Sequence, residues 1–269
     1  MESKIIYMTN IDRRYFMMRR ALDELIADGE MPASSQVVKT EDGSVWSASW
    51  EEKLRGSALV MIRFMGNTIR TKFWTACMHF LSREGIPYYM DAAGSAEEEC
   101  IERVAAKDIA AMKAYSFYGG LTNYKNLWRY VGALFEEPLH AVEPPSPICW
   151  AGIYHPGMEK NFMTDLTSYE KTFLREGRPT LGLLFYRDEW IWDDLHYQKA
   201  FIEEAERQGL NVIAVFTNGL PDPKLGMPTI REVFEKYFMK EGKPLVDVIV
   251  NVMKFSFTTS GSMSIKALE

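Results

Sequence analysis

The chain has 269 residues, 47% of them hydrophobic and 25% charged, and 31 Lys and Arg against 37 Asp and Glu give a net charge of −6. A chain of this size and composition can build cores without a metal or disulfide, which excludes collagen-like, low-complexity and disordered classes. The acidic balance supplies no general field for nucleic-acid backbones or anionic lipid. In chain order, Lys4–Met8 reads as a buried strand, and Asn10–Asp28 as a helix with Phe16, Met17, Ala21, Leu22, Leu25 and Ile26 at helical spacing and Gly29 at its end. Gln36–Lys39 is a weaker strand. Ala58–Phe64 is a strong one, and Met65-Gly66-Asn67 turns the chain into an amphipathic helix over Thr68–Arg83, closed by Gly85. Ile86–Met90 is a short strand and Glu97–Lys107 a helix. Tyr118-Gly119-Gly120 breaks the pattern before a helix over Thr122–Phe135.

Glu143–Gly157 holds four prolines and two glycines, which no helix or central strand tolerates. The expected organisation is therefore a first α/β domain over 1–145, a proline-rich connector over 146–157 and a second α/β domain over 158–269. Within the second, Thr180–Tyr186, Asn211–Phe216 and Val246–Val252 read as strands, and Asp194–Gln208 and Thr229–Lys240 as helices. The strands are continuously apolar and alternate with helices, the pattern of a mainly parallel sheet covered on both faces. The fold class is α/β, two Rossmann-like (doubly wound) domains. Ile265–Glu269 reads as the start of a further helix, so the second domain is expected to be incomplete here.

Three cysteines (Cys77, Cys100, Cys149) without CxxC spacing fit a reducing compartment, and the opening MESKIIYMTN turns polar too early for a signal peptide. No apolar run approaches a membrane span, and the expected location is the cytoplasm. No GxxxxGK[ST], GxGxxG, HExxH, GxSxG or Cys/His metal spacing occurs, which argues against P-loop ATPase, dinucleotide, hydrolase and zinc chemistry. Met17, Met18, Met61, Met65 and Met78 fall on core positions and are read as packing.

In open parallel sheets ligands bind beyond the carboxyl ends of strands, which selects Arg63–Asn67, Arg187–His196, Thr217–Leu220 and Lys254–Ser260. Arg187, His196, Thr217 and Asn218 are expected on one rim of the second sheet. Asp194 stands where a helix starts, as an N-cap or as a crevice carboxylate. His155 and His196 lie beside breaks and are each either structural or functional, whereas His79 sits inside an amphipathic helix and is read as packing. Gly219 follows a strand and is expected at positive φ.

The stretch Arg178–Leu220, RPTLGLLFYRDEWIWDDLHYQKAFIEEAERQGLNVIAVFTNGL, resembles the large subunits of ATP-dependent metallochelatases. These comprise the cobaltochelatase large subunit of cobalamin synthesis and the magnesium chelatase H subunit of chlorophyll synthesis. The shared elements are a strand followed by an Arg, Asp194-Leu195-His196-Tyr197 opening a helix, Glu204–Gly209 ending it, and a VIxVF strand closed by Gly219. Gly152-Ile153-Tyr154-His155-Pro156, Tyr118-Gly119-Gly120-Leu121-Thr122-Asn123 and Val246–Asn251 match further family elements in the same order. The likeness covers about residues 58–269 and departs from the family at Gly66-Asn67, where a glycine pair is usual. Family members are several times longer.

The resemblance implies insertion of a divalent metal, Co²⁺ in preference to Mg²⁺, into a tetrapyrrole. ATP with Mg²⁺ would be consumed on separate ring-forming ATPase subunits, and this head region would contribute substrate or partner binding without chelating alone. Arg63 and Arg187 would hold macrocycle carboxylates, and His155 and His196 would meet the macrocycle in the cleft between domains, with Asp194, Tyr197, Asn218 and Gly219 around them. The competing reading is a stand-alone tetrapyrrole-binding or ATPase-docking module without catalysis. A two-component-like sensory domain is disfavoured, because no acidic cluster follows the first two strong strands.

Overall fold

A computed structural model describes residues 3–41, 44–65, 71–93, 100–158, 162–219, 221, 223 and 226–253. The chain forms two compact units, Met1–Ile148 and Cys149–Glu269. Both are mixed α/β with largely parallel sheets, as doubly wound folds are built.

The first unit contains β1 (Ile5–Thr9), α1 (Asp12–Ala27), β2 (Gln36–Lys39), α2 (Ala48–Leu54), β3 (Leu59–Met65) and α3 (Lys72–Glu84). After these come β4 (Tyr88–Ala93), β5 (Cys100–Glu102), α4 (Ala106–Tyr118) and α5 (Leu121–Ala133). The sheet order is β2-β1-β3-β4-β5, with β5 alone antiparallel, against β4. Alternation along the strands divides the core. Ile6, Met8, Val60, Ile62 and Phe64 pack with Phe73, Trp74, Cys77, Phe80 and Leu81 of α3. Tyr7 turns to the opposite face, where its ring meets Trp128 of α5. The helix expected over Glu97–Lys107 is not formed: Cys100–Glu102 adds an edge strand to β4, and α4 starts only at Ala106. Three residues are too few for periodicity to separate helix from strand, so pairing with the open β4 edge decides. The Gly119-Gly120 break lies between α4 and α5 with φ of 71° and 84°. Asn123 fixes this corner, its amide donating to the Gly119 and Ser146 carbonyls at 2.8 and 2.9 Å and accepting from the Ser146 N–H at 2.9 Å.

Arg129 on α5 holds Glu30 with two bonds, Nε to Oε2 at 2.6 Å and Nη2 to Oε1 at 2.7 Å. The Glu30 side chain is only 6% exposed, and this guanidinium holds its carboxyl below the usual range. A carboxyl lowered by folding adds stability above its unfolded value near pH 4.3, and loses it as pH falls through the folded value. The stability gap between wild type and Arg129→Gln in urea melts should therefore shrink from pH 6 to pH 3. A gap independent of pH would show that the pair contributes nothing by charge.

The second unit contains β6 (Ala151–Tyr154), α6 (Leu166–Phe173), β7 (Thr180–Tyr186), α7 (Arg187–Ile191) and α8 (His196–Arg207). It continues with β8 (Asn211–Thr217), α9 (Ile230–Tyr237), β9 (Met239–Lys240), β10 (Lys243–Pro244) and β11 (Val248–Asn251). The main sheet runs β11-β7-β8-β6, with β11, β7 and β8 parallel and β6 antiparallel to β8; β9 and β10 form a separate two-stranded ribbon. One face carries Ile213, Val215 and Leu184 against Tyr169 of α6 and Val233 and Tyr237 of α9. The other carries Leu183, Phe185, Ala214 and Phe216 against Ile202 and Ala205 of α8. The stretch read as a connector is partly strand: Ala151–Tyr154 escapes its flanking prolines by pairing at the sheet edge, the one place where neighbouring prolines cost no ladder bond. The expected turn at Gly66-Asn67, the segment Lys254–Ser260 and the helix start at Ile265 fall outside the described residues.

Candidate functional site

The carboxyl ends of β7 and β8 finish level, because Tyr186 pairs with Thr217. Arg187 and Asn218 therefore leave the sheet side by side, and Gly219 follows with φ of 80°, in the left-handed region that favours glycine. Asn218 turns its side-chain amide to the Met227 sulfur at 3.3 Å.

Beyond β7 the chain enters α7 without a loop. Arg187 is 1% exposed. Its Nε donates to the Cys149 carbonyl at 2.7 Å, and its guanidinium lies 4.2 Å from the centroid of the Trp150 ring. The expected open clamp for a carboxylate is thus enclosed by the two residues that lead into β6. Two positions further on, the buried Glu189 accepts hydrogen bonds from the Tyr197 hydroxyl and the Gln198 amide, both at 2.6 Å. The Gln198 side-chain oxygen is buried with no hydrogen-bond partner among the described residues. Trp190 stacks on Phe216 at 4.1 Å with the rings 3° from parallel. The short helix α7 is therefore a plug on the rim, tied to the sheet by an aromatic stack and to α8 by a carboxylate.

The helix α8 starts later than the sequence pattern suggests. Leu195 occupies its N-cap position, and no side chain caps it. Asp194 is not the cap: its N–H donates to the Glu189 carbonyl at 2.9 Å, which closes the turn after α7 and places its backbone one residue too early. The preceding Asp193 takes φ of 55°. His196 is exposed, and Tyr197 is 42% exposed while its hydroxyl stays anchored to Glu189.

His155 does not join this rim. Because β6 is antiparallel to β8, Ala151 pairs with Thr217 while Tyr154 pairs with Ala214, so β6 carries its carboxyl end away from the ligand side. His155 instead binds Glu206 near the far end of α8, Nε2 to Oε1 at 3.0 Å. Ten residues at 1.5 Å rise separate Glu206 from His196, about 15 Å along the axis. The Gly157 N–H donates to His155 Nδ1 at 3.0 Å, which puts the ring proton on Nε2 and leaves no lone pair for a metal. Phe173 packs on the ring at 4.0 Å. The second unit does not bring His155 and His196 together; Cys149 and Trp150 reach the rim instead.

In the first unit, Arg63 lies two residues before the end of β3, opposite Thr9 of β1, is 8% exposed, and lies over the Phe117 ring at 5.0 Å. The sequence pattern placed Arg187, His196, Thr217 and Asn218 on one rim but missed Glu189, Trp190 and Gln198. The signal for Glu189 and Trp190 was an acidic-aromatic run directly after a strand with no turn residue between. Among the described residues no cluster of three or more His, Cys, Asp or Glu could hold a metal, and no helix is long and apolar enough to cross a membrane.

Largely parallel sheets packed against helices define a mixed α/β architecture, compatible with Rossmann-like folds. The model of the CobN/Magnesium Chelatase family matches residues 113–268, over half of the chain, and the chain belongs to that family. It is 34% identical over 154 residues to an uncharacterised protein of Methanocaldococcus jannaschii, covering 57% of this chain and 12% of that protein. It is 29% identical over 171 residues to the aerobic cobaltochelatase subunit CobN of Sinorhizobium sp, covering 61% of this chain and 12% of that subunit. The magnesium-chelatase H subunit of Cereibacter sphaeroides is 27% identical over 146 residues, covering 53% and 11%. The solved catalytic subunit of cobaltochelatase from Mycobacterium tuberculosis superposes with a TM-score of 0.50 at 15% identity, over 88% of this chain and 18% of that one, which establishes likeness of fold. The chain thus spans 11–12% of the length of these curated relatives.

Proposed function

We propose that this chain is the head part of an ATP-dependent metallochelatase large subunit that inserts a divalent metal into a tetrapyrrole. In this reading the stretch contributes substrate or partner binding and does not chelate alone. The observation that carries it is the family match, which runs through the whole second unit and includes every rim residue described above. Cobalt is favoured over magnesium as the substrate metal. The likeness to the cobaltochelatase subunit is both longer and higher, 171 residues at 29% against 146 at 27%. ATP would be hydrolysed on separate ring-forming ATPase subunits. On the rim, His196 and Tyr197 offer an imidazole and an exposed phenol ring to the face of a flat macrocycle, with Trp150 nearby under Arg187. Arg187 and His155 are occupied by internal bonds and act here as supports.

Absorbance titration of the chain with a polycarboxylate porphyrin tests the reading. A saturable spectral shift is expected, weakened several-fold by His196→Ala and Tyr197→Ala and unaffected by His79→Ala or by folded His155→Ala. No shift, or equal loss in all four variants, would sink it. With metal, ATP and ATPase subunits added, insertion should stay at background; insertion at the rate of a full-length subunit would overturn the division of labour.

A further inference from the structure

The first unit carries a second cluster at a place where doubly wound sheets receive ligands. With the order β2-β1-β3-β4, the chain leaves β1 toward β2 on one side and β3 toward β4 on the other, which opens a crevice at the carboxyl ends of β1 and β3. Arg63 stands near the carboxyl end of β3, opposite the last residue of β1. Arg14, in the first turn of α1, approaches from the helix. Its Nη1 donates to the Ser116 carbonyl at 3.0 Å and to the Tyr124 hydroxyl, and its guanidinium lies 5.1 Å from the centroid of the Tyr124 ring. Tyr7 lies between these elements on the same face of the sheet. It is 3% exposed, its hydroxyl is within electrostatic reach of both arginines, and that hydroxyl has no hydrogen-bond partner among the described residues. Burial pushes the Tyr7 phenol up, so it remains a protonated donor. Ile11 at the N-cap of α1 makes no side-chain capping bond, and Asp12 stands in the first turn of that helix.

Like charges repel, and Arg63 is held below its usual range first by burial and then by the charge of Arg14. A ligand carrying negative charge relieves both effects. We propose that this cluster is an oxyanion site, in which one carboxylate or phosphate group of a small ligand lies between Arg14 and Arg63 and accepts a hydrogen bond from the Tyr7 hydroxyl. Each guanidinium has five N–H donors, so the site does not require either arginine to give up its protein partners. Carboxylate and phosphate are acceptor-only groups that match the guanidinium fork, and a phenol adds a third donor. Arg14 and Asn10 are half-buried, whereas Tyr7 and Arg63 are buried. The site lies in a different unit from the rim and stands or falls independently of tetrapyrrole binding.

The test is calorimetric titration of the 269-residue chain at constant ionic strength, with inorganic phosphate in one arm and succinate in the other. Saturable binding is expected in at least one arm. Phosphate alone identifies a phosphate-bearing ligand, and succinate alone a carboxylate-bearing one. Tyr7→Phe should weaken that binding about tenfold, while its unfolding midpoint stays level or rises because a buried hydroxyl without a partner has been removed. Arg14→Gln should weaken binding at least as much. If neither anion saturates, or if Tyr7→Phe binds as wild type does, the site is refuted, and Tyr7→Phe decides the matter even if Arg14→Gln fails to fold.

Discussion

Arg187→Met is expected to cost roughly 2–4 kcal/mol of unfolding free energy, because a bond from a charged donor and a desolvated cation–π contact are lost together. The guanidinium is enclosed, with Nε on the Cys149 carbonyl at 2.7 Å and the Trp150 ring at 4.2 Å. Methionine keeps most of the stem volume, so the measured cost isolates the charged head. It also removes the Arg187 donor from the part-buried Cys149 carbonyl. Lysine should recover only part of the loss, since a point ammonium does not reproduce a planar group that lies on an indole while donating edge-on. Urea unfolding of both variants, beside porphyrin titration of the folded fraction, separates two roles. A supporting arginine lowers stability and leaves the affinity of folded protein nearly unchanged. If Arg187→Met melts within about 0.5 kcal/mol of wild type and loses affinity, the side chain works on the ligand and the account of an enclosed strut is wrong.

How much of this was legible in the sequence depends on what each residue's neighbours decide. β7 and β8 were visible because the apolar runs Leu181–Tyr186 and Val212–Phe216 admit little else in an alternating α/β pattern, and the rim followed from the rule about carboxyl ends. Strand direction at the sheet edge was not visible. Nothing in Ala151–Tyr154 states whether it runs with β8 or against it, yet that single choice sends His155 to one end of the sheet and Trp150 to the other. The Asp194 cap failed for a local reason. Five residues of helix fit between the strand and the expected helix start, and closing the turn after them on the Glu189 carbonyl used up the Asp194 backbone. Arg187 was correctly placed at a strand end, but its partners, Cys149 and Trp150, lie far upstream in the chain, which no local pattern reports. Glu189 was overlooked because a carboxylate in an acidic, aromatic run reads as a solvated loop until its two donors, eight and nine residues on, are brought over it by α8.

Gly152→Ala should be costly for a position that is neither in a turn nor at positive φ, by about 1–3 kcal/mol. The glycine sits on β6, opposite Phe216 of β8, and the ring of that phenylalanine fills the space a side chain would need. A Cβ at position 152 would lie 2.8 Å from Phe216 Cζ and 3.1 Å from Phe162 Cδ2, closer than carbon atoms pack. Phe216 cannot yield freely, because it is fully buried and its far face carries the Trp190 ring at 4.1 Å. The added methyl therefore pushes a stack of two rings, and through Trp190 it pushes α7, whose next-door Glu189 anchors Tyr197. The expected signature is loss of stability together with a change in tryptophan emission, followed by weaker porphyrin binding at the rim. Phe216→Leu supplies the decisive comparison. It removes the ring that the methyl meets, so the double variant should be more stable than the sum of the two single losses by at least about 0.5 kcal/mol. Strict additivity, or a Gly152→Ala protein that melts as wild type does, would mean that β6 moves outward to make room. The plug on the rim would then be less tightly coupled to the sheet edge than the ring stack indicates.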